Sequence, residues 1–336
     1  MATPSFDIIG VGNAIVDVIA TADDVFLGQH GIEKGAMTLI DEDRAKAIYA
    51  AMGPGQEVSG GSAANTLAGV ASLGGRGAYV GKVADDQLGE IFAHDLRATG
   101  VDYSTAPLTG GPATARCLIL VTPDAQRSMN TFLGASTLFS GEDVDAARIA
   151  DAHITYLEGY LFDRDEAKAA FVAAAEIARK AGRKVALTLS DPFCVDRHRA
   201  SFRQLIAGHV DVVFANEAEL KSLYQLDDFD AALAQLRTQT RIAAITRSEK
   251  GAVIICGEES VAVPADPVER LVDTTGAGDL FAAGFLLGLA RSADLETCGR
   301  LGVLAAAEVI SHVGARPLVS LAGLAARRGI TIPAAA

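Results

Sequence analysis

Short β-branched runs that alternate with alanine-rich helical stretches restrict this 336-residue chain more than any other feature of its sequence. FDIIGVG (6–12), RGAYVGKV, HITYLEG, KVALTL, VDVVFA and RIAAIT have the length and apolar character of buried strands. Between them, DEAKAAFVAAAEIARKAG (165–182) carries small and apolar residues at helical spacing. DEDRAKAIYAAMG (41–53) begins with acidic residues and ends on Gly53, the two marks of a helix start and stop. This alternation predicts an α/β fold, βα units around a mostly parallel sheet.

One region breaks the pattern. ATARCLILV (113–121) and RSMNTFL (127–133) flank TPDAQ, a turn-like segment containing Pro123 and Asp124, and read as an antiparallel hairpin. With a strand near AMTLI (36–40), the hairpin is expected to form a small sheet projecting from the main layer. No low-complexity linker or repeat divides the chain, so the expectation is one domain over 1–336. Its β-sheet lid is inserted as segments of approximately 13–40 and 111–134.

Composition narrows the function. Half of the residues are hydrophobic, yet no apolar run reaches the roughly 18–20 residues of a membrane span. MATPSFDIIGVGN lacks the basic region and apolar core of a signal peptide, so a soluble, cytoplasmic protein without membrane partners is expected. Four cysteines, Cys117, Cys194, Cys256 and Cys298, are scattered without CxxC spacing, which suggests neither a disulfide framework nor a zinc site. A net charge of −13 argues against nucleic acid as a partner, because phosphate backbones select basic patches. A small phosphorylated ligand remains open, since backbone amides, helix N-termini and a bound cation offset phosphate charge locally.

Two glycine-rich segments concentrate the chemistry. In DTTGAGDLFAAGFLLGL (273–289), Asp279 follows Gly-Ala-Gly and precedes an almost wholly apolar helix. Asp279 fits an ordinary N-cap; it also fits a base beside an anion held on open N–H groups. In SGGSAANTLAGVASLGG (59–75), Gly60 and Gly61 let the backbone approach a ligand, Ser62 is placed to cap the following helix, and Asn65 lies one turn in. A small-residue helix packed on a sheet accounts for this segment equally well. Neither is a P-loop, since GxxxxGK[ST] is absent. GVGN after the first strand begins like a dinucleotide fingerprint, but Ile15 stands where the third glycine belongs, which demotes a dehydrogenase.

Together, GG-x3-N near residue 60 and DTTGAGD near 273 resemble the two signatures of the ribokinase (PfkB) family of carbohydrate and nucleoside kinases, and the resemblance runs from GVGNAIVD to HVGARP. It implies a doubly wound, ribokinase-like α/β sheet with a β-lid. Gly276, Ala277 and Gly278 match the family's anion hole and Asp279 its general base. FANEAEL (214–220) contains Asn216 and Glu219, similar to the NxxE motif that organises magnesium and phosphate-bound water; a capped helix with an acidic first turn is the plainer alternative. ITRSEKGAV (245–253) looks like the loop contacting ATP, with Thr246, Ser248 and Gly251, although Ser248 stands where the family commonly has glycine. HVGARP (312–317), with the region near Asp273, resembles a monovalent-cation loop for K⁺, and the adenine of ATP is expected near GVLAAAEV (302–309).

For the acceptor, GNAIVD resembles adenosine kinases more than ribokinases, as do TLSDPF and YLEGYL. Asn13 and Asp17, with Gly60, Gly61 and Asn65, are expected to hold a vicinal diol. The match puts Ile15, Met37, Leu39, Cys117, Met129 and Tyr160 near the acceptor's adenine, and Arg127 near the transferring phosphate; a solvated turn residue for Asp17, core positions for the apolar residues and a surface arginine are the alternatives. The expected activity is ATP- and Mg²⁺-dependent phosphorylation of the adenosine 5′-hydroxyl. The rivals are a kinase of another nucleoside or of a free sugar, and a non-catalytic nucleoside-binding protein. Monomer and homodimer both fit.

Overall fold

The computed structural model describes residues 3–124 and 126–335, apart from the side chain of Asp163. Its larger sheet has nine strands in the order Glu259–Val263, Ala252–Cys256, Ile242–Thr246, Val212–Asn216, Lys184–Thr188, Ala152–Glu158, Phe6–Val11, Gly77–Val80 and Asp102–Tyr103. All neighbours pair in parallel except the hairpin of the first two, which is antiparallel and joins the sheet antiparallel to Ile242–Thr246. The six strands expected from the sequence all lie in this sheet.

Strand period two assigns alternate side chains to opposite faces, and the sheet has a core on each. Ile8 packs in one core with Leu67, Phe281 and Leu301, while its neighbour Ile9 packs in the other with Phe171, Phe202 and Leu236. Burial on both faces is why these strands read as continuous apolar runs rather than alternating ones. The α/β fold with helices on both faces is as expected.

The smaller sheet has five strands in the order Met37–Leu39, Arg127–Phe132, Ala115–Val121, Ile15–Thr21 and Gln56–Gly60. Ala115–Val121 and Arg127–Phe132 are antiparallel, as the hairpin reading expected; of its turn TPDAQ, Ala125 lies outside the described residues. Met37–Leu39 joins through Arg127–Phe132. The edge strand Gln56–Gly60 falls outside the two segments expected to build this sheet, because its polar QEVSG carries no strand period.

The apolar helix Ala277–Ala290 is buried from Leu280 to Gly288. It packs between the helices Ser62–Ser72 and Leu295–Val309, so no face is left for polar residues. Close approach depends on missing side chains. A Cβ at Gly69 would stand 2.7 Å from the Ala283 Cβ, and one at Gly284 would stand 2.4 Å from the backbone carbonyl of Leu301. Among the described residues, no helix is long and apolar enough to cross a membrane.

Gly284→Ala sets a helix-propensity gain of about 1 kcal/mol against overpacking of roughly 1–3 kcal/mol. Because the obstruction is backbone, overpacking wins. Urea denaturation is expected to show a net loss of stability, and an unchanged or raised midpoint contradicts this packing account.

Candidate active site

The helix Ser62–Ser72 begins at Gly61 and the helix Ala277–Ala290 at Gly276; both glycines have positive φ, 95° and 80°. Each also sits where a Cβ does not fit: at 2.3 Å from the Asn13 carbonyl oxygen for Gly61, and at 2.9 Å from Ala315 for Gly276. Neither helix has a side-chain N-cap among the described residues. This corrects two expectations. Ser62 is the first helical residue and Asp279 lies in the first turn, and each turns its side chain to the other instead of to its own helix.

Ser62 Oγ donates to Asp279 Oδ1 at 2.6 Å, and Asn65 Nδ2 donates to Asp279 Oδ2 at 3.0 Å. Burial raises the Asp279 carboxyl above its ordinary value, opposed by these two bonds and by the charge of Arg316. Behind the carboxylate, the uncapped first turn presents backbone N–H groups and the positive end of the helix. A Cβ at Gly278 would meet nothing within 4 Å, so the chain's own packing does not demand glycine there.

The smaller sheet presents one face to this point. Cross-strand neighbours share a face, and the register sets Asp17 opposite Cys117, Cys117 opposite Thr131, and Thr131 opposite Leu39. In the next rows Met37 pairs with Met129, Met129 with Ile119, and Arg127 with Val121; Ile15 precedes Asp17 on the same face. Six residues expected around an acceptor base or diol, Ile15, Asp17, Met37, Leu39, Cys117 and Met129, are thus brought together. Burial pushes the Asp17 carboxyl up to about 6, against the pull of Arg316 and Arg127. A Cβ at Gly60 would stand 2.4 Å from an Asp17 carboxylate oxygen, so a bare backbone flanks that group. Burial also pushes the Cys117 thiol up to about 12, so it stays neutral.

Asn13 and Tyr160 lie off the smaller sheet's face. Asn13 is buried, and both its backbone N–H (3.2 Å) and its Nδ2 (3.1 Å) donate to Glu158 Oε1. Glu158 Oε2 accepts from Ala63 N at 2.8 Å, so this carboxylate, pushed up to about 7 by burial, ties the first strand to the start of helix Ser62–Ser72. Asn13 is part of this tie. Tyr160 lies at the end of the large sheet, where its OH donates to Ser190 O at 3.3 Å, not on the smaller sheet's face. Its hydroxyl is nonetheless raised by burial and by the charges of Asp191, Asp279 and Glu219.

Arg127 reaches from the smaller sheet to the Asp273 carboxylate and to Thr275 Oγ1 at 3.3 Å. Asp273 also accepts from the Thr275 N–H (3.0 Å), the Thr275 hydroxyl (2.6 Å) and the Gly314 N–H (2.9 Å). One carboxylate thus ties the smaller sheet, the start of the glycine loop and the segment 312–317 together.

Asn216 and Glu219 form a closed capping box. Asn216 Oδ1 accepts from Glu219 N at 2.8 Å, while Glu219 accepts from Asn216 N at 2.9 Å and from Nδ2 at 2.6 Å. Burial pushes Glu219 up to about 7. Among the described residues no group of three or more His, Cys, Asp or Glu is arranged to hold a metal. Thr246 ends its strand, Ser248 has φ 51°, and Gly251 crosses so near Val263 that a Cβ would stand 2.1 Å from its carbonyl. Gly251 is accordingly explained by the hairpin it opens. A cleft of about 280 Å³ is lined by Val268, Leu304, Ala307, Glu308 and Leu324, within and beside the segment 302–309.

Sequence reasoning missed Ser62 as a partner of Asp279, Glu158 as the hidden tie, and Arg316. The last stands in HVGARP, where loop resemblance drew notice to backbone carbonyls; only the fold shows its guanidinium donating to Asn65 Oδ1 at 2.9 Å.

Residues 40–321 match the pfkB family of carbohydrate kinases. The chain belongs to that family. It is 28% identical to an adenosine kinase of Saccharomyces cerevisiae over 326 residues, 90% of this chain and 94% of that protein. The crystal structure of adenosine kinase from Sinorhizobium meliloti is 55% identical with a TM-score of 0.89, covering 96% of this chain and 99% of that one. A probable sugar kinase from Rhizobium etli CFN 42 is 53% identical with a TM-score of 0.91, covering 98% and 100%. An adenosine kinase from Anopheles gambiae, solved in complex with P1,P4-di(adenosine-5) tetraphosphate, is 25% identical with a TM-score of 0.78, covering 92% and 96%. This family member is an adenosine kinase-like phosphotransferase, acting on the hydroxyl group of a nucleoside or sugar.

The left-handed Ser248 accounts for the family's glycine at that position, since a side chain there costs roughly 1–2 kcal/mol. Ser248→Gly also frees the unfolded chain, which offsets about half of that gain. A small rise in Tm by differential scanning calorimetry is the expected outcome, and a clear fall contradicts it.

Proposed function

We propose that the protein is an ATP-dependent adenosine kinase that phosphorylates the 5′-hydroxyl of adenosine to give AMP and ADP. The observation that carries the reading is the Asp279 carboxylate, fixed by Ser62 and Asn65 beside the uncapped helix start of Gly276, Ala277 and Gly278. In phosphoryl transfer the protein mainly positions reactants and stabilises charge. Asp279 takes the proton of the attacking hydroxyl, and the amides of the glycine turn face the charge that spreads over the phosphoryl oxygens. The raised carboxyl of Asp279 is a better proton acceptor than an exposed aspartate.

Adenosine as acceptor is supported by the smaller sheet. Asp17, without a hydrogen-bond partner among the described residues, offers two acceptor oxygens to the ribose diol beside Gly60, Gly61 and Asn65. Ile15, Met37, Leu39, Cys117 and Met129 supply a flat apolar surface for the purine. The Anopheles relative's ligand, with an adenosine at each end of a phosphate chain, matches a site that takes one adenosine as acceptor and one within ATP. We assign the donor adenine to the cleft beside Leu304 and Ala307, with Thr246 and Ser248 toward the phosphates.

The smaller sheet acts as a lid over the acceptor, excluding water as a competing nucleophile, and Arg127 fastens it to the glycine loop through Asp273. Mg²⁺ supplies charge neutralisation on the phosphates when bound. Asn216 and Glu219 are the residues that would hold it, through water because their side chains already close on each other. A potassium ion near 312–317 would rest on backbone carbonyls, because Arg127 already matches the charge of Asp273.

A free-sugar kinase is the second reading, favoured by the identity to the Rhizobium structure described as a probable sugar kinase. An ADP-release screen across nucleosides and sugars separates the two; turnover of adenosine well above ribose and fructose is expected, and the reverse order rejects the purine assignment. With the preferred acceptor, Asp279→Asn is expected to lower kcat by about 100- to 10,000-fold while binding survives. Gly278→Ala is expected to leave Tm unchanged or raised yet lower kcat, since only a ligand needs that space. Wild-type kcat in either variant rejects its assigned role.

A further inference from the structure

Arg316 extends from the loop 312–317 into the neighbourhood of Asp279, and no expected role covers it. Its Nε donates to Asn65 Oδ1 at 2.9 Å, and its Nη2 donates to the Ser59 carbonyl at 2.7 Å and the Ser59 hydroxyl at 3.0 Å. Ser59 in turn donates from its N–H (2.8 Å) and its hydroxyl (2.5 Å) to Asp95 Oδ2. The chain of bonds runs from Asp95 through Ser59, Arg316 and Asn65 to Asp279.

An asparagine amide has one donor end and one acceptor end, and the two are nearly equal in shape. Asn65 helps the base only with Nδ2 toward Asp279; turned over, it would set Oδ1 against a carboxylate. An arginine can only donate. Its presence at Oδ1 therefore decides which end faces Asp279, and its planar fork, anchored on Ser59, fixes the plane as well.

Building on the kinase reading above, we propose that Arg316 is a positioning residue for the reaction: it locks the Asn65 amide with its donor end toward Asp279 and brings a fixed positive charge to that carboxylate's side. The electrostatics agree. The groups facing this cluster are Asp17 and Arg127 from the smaller sheet, Asp95, Glu158, Tyr79, Tyr156 and Tyr160. Most are acidic or neutral, and Arg316 is the cation acting on Asp279 against burial. Arg316 also lowers Asp17, so one guanidinium serves the base and the proposed diol acceptor together.

The test is the pH dependence of kcat for Arg316→Gln, Arg316→Lys and Asn65→Ala, with the acceptor that the wild-type enzyme turns over. Arg316→Gln is expected to lose at least roughly 10-fold in kcat, approaching the 100-fold that a misplacement of about 1 Å can cost, and its acid limb is expected to move to higher pH. Arg316→Lys keeps a charge but not the fork, so it is expected to hold the wild-type acid limb while kcat stays low. If Arg316→Gln does not fold, the lysine variant alone decides. Arg316→Gln is expected to add little to the loss already caused by Asn65→Ala, because the two act through one amide. Wild-type kcat and acid limb in Arg316→Gln, wild-type kcat in Arg316→Lys, or fully multiplicative losses in the double variant overturn the proposal. A ¹³C NMR titration of the Asp279 carboxyl separates this outcome from failure of the kinase reading: Arg316→Gln should raise that pKa whether or not adenosine is the acceptor, and an unmoved titration contradicts the inference.

Discussion

The contact between two helix starts governs this molecule's chemistry. Ser62 and Asp279 are 217 positions apart in sequence, yet their side chains meet at 2.6 Å because helices Ser62–Ser72 and Ala277–Ala290 lie against each other with almost no side chain between them. The spacing is set at Gly69, where a Cβ would stand 2.7 Å from that of Ala283. An aspartate at an ordinary helix start would satisfy its own N–H groups. Here the N-cap is Gly276, which has no side chain to cap with, and the neighbouring helix holds the Asp279 carboxylate through Ser62 and Asn65, so the first turn stays uncapped. The carboxylate and the open first turn thus stand side by side at one helix contact.

A second constraint acts on the opposite side. The smaller sheet carries an apolar row and a single carboxylate, Asp17, on one face, while Val16, Val18, Leu118 and Leu120 alternate into its core. Arg127 links that face to Asp273, which also holds Thr275 and Gly314. The smaller sheet is therefore tied to the glycine loop through one ion pair. Since Arg127 and Asp273 are both largely buried, removing one partner would leave an uncompensated buried charge, so the pair holds the sheet to the loop.

Much of this was legible in the sequence because it rests on local rules. Buried strands such as FDIIGVG show themselves by apolar content, and the hairpin 113–133 by its two β-rich runs and turn residues. The glycine segments marked both helix starts. What stayed hidden depends on distance in sequence. Nothing near Ser62 tells that its hydroxyl serves Asp279 instead of its own helix, and Glu158 at a strand end gives no sign that it ties Asn13 to Ala63. The strand Gln56–Gly60 owes its form to pairing with Ile15–Thr21 rather than to its own residues. Asn216 and Glu219 show a further limit: one spacing describes both a capping box and a motif for organising a metal, and the hydrogen bonds reveal only the first.

The central claim is spatial: a primary hydroxyl of the acceptor meets the carboxylate of Asp279 while the phosphoryl group faces the turn Gly276–Gly278. A crystal structure with adenosine and a non-hydrolysable ATP analogue measures this directly. The account predicts the 5′-oxygen within hydrogen-bonding distance of an Asp279 oxygen, about 2.6–3.2 Å, and in line with the γ-phosphorus. Adenosine bound with its 5′-oxygen turned from Asp279, or a γ-phosphate remote from the glycine turn in the closed complex, would contradict it.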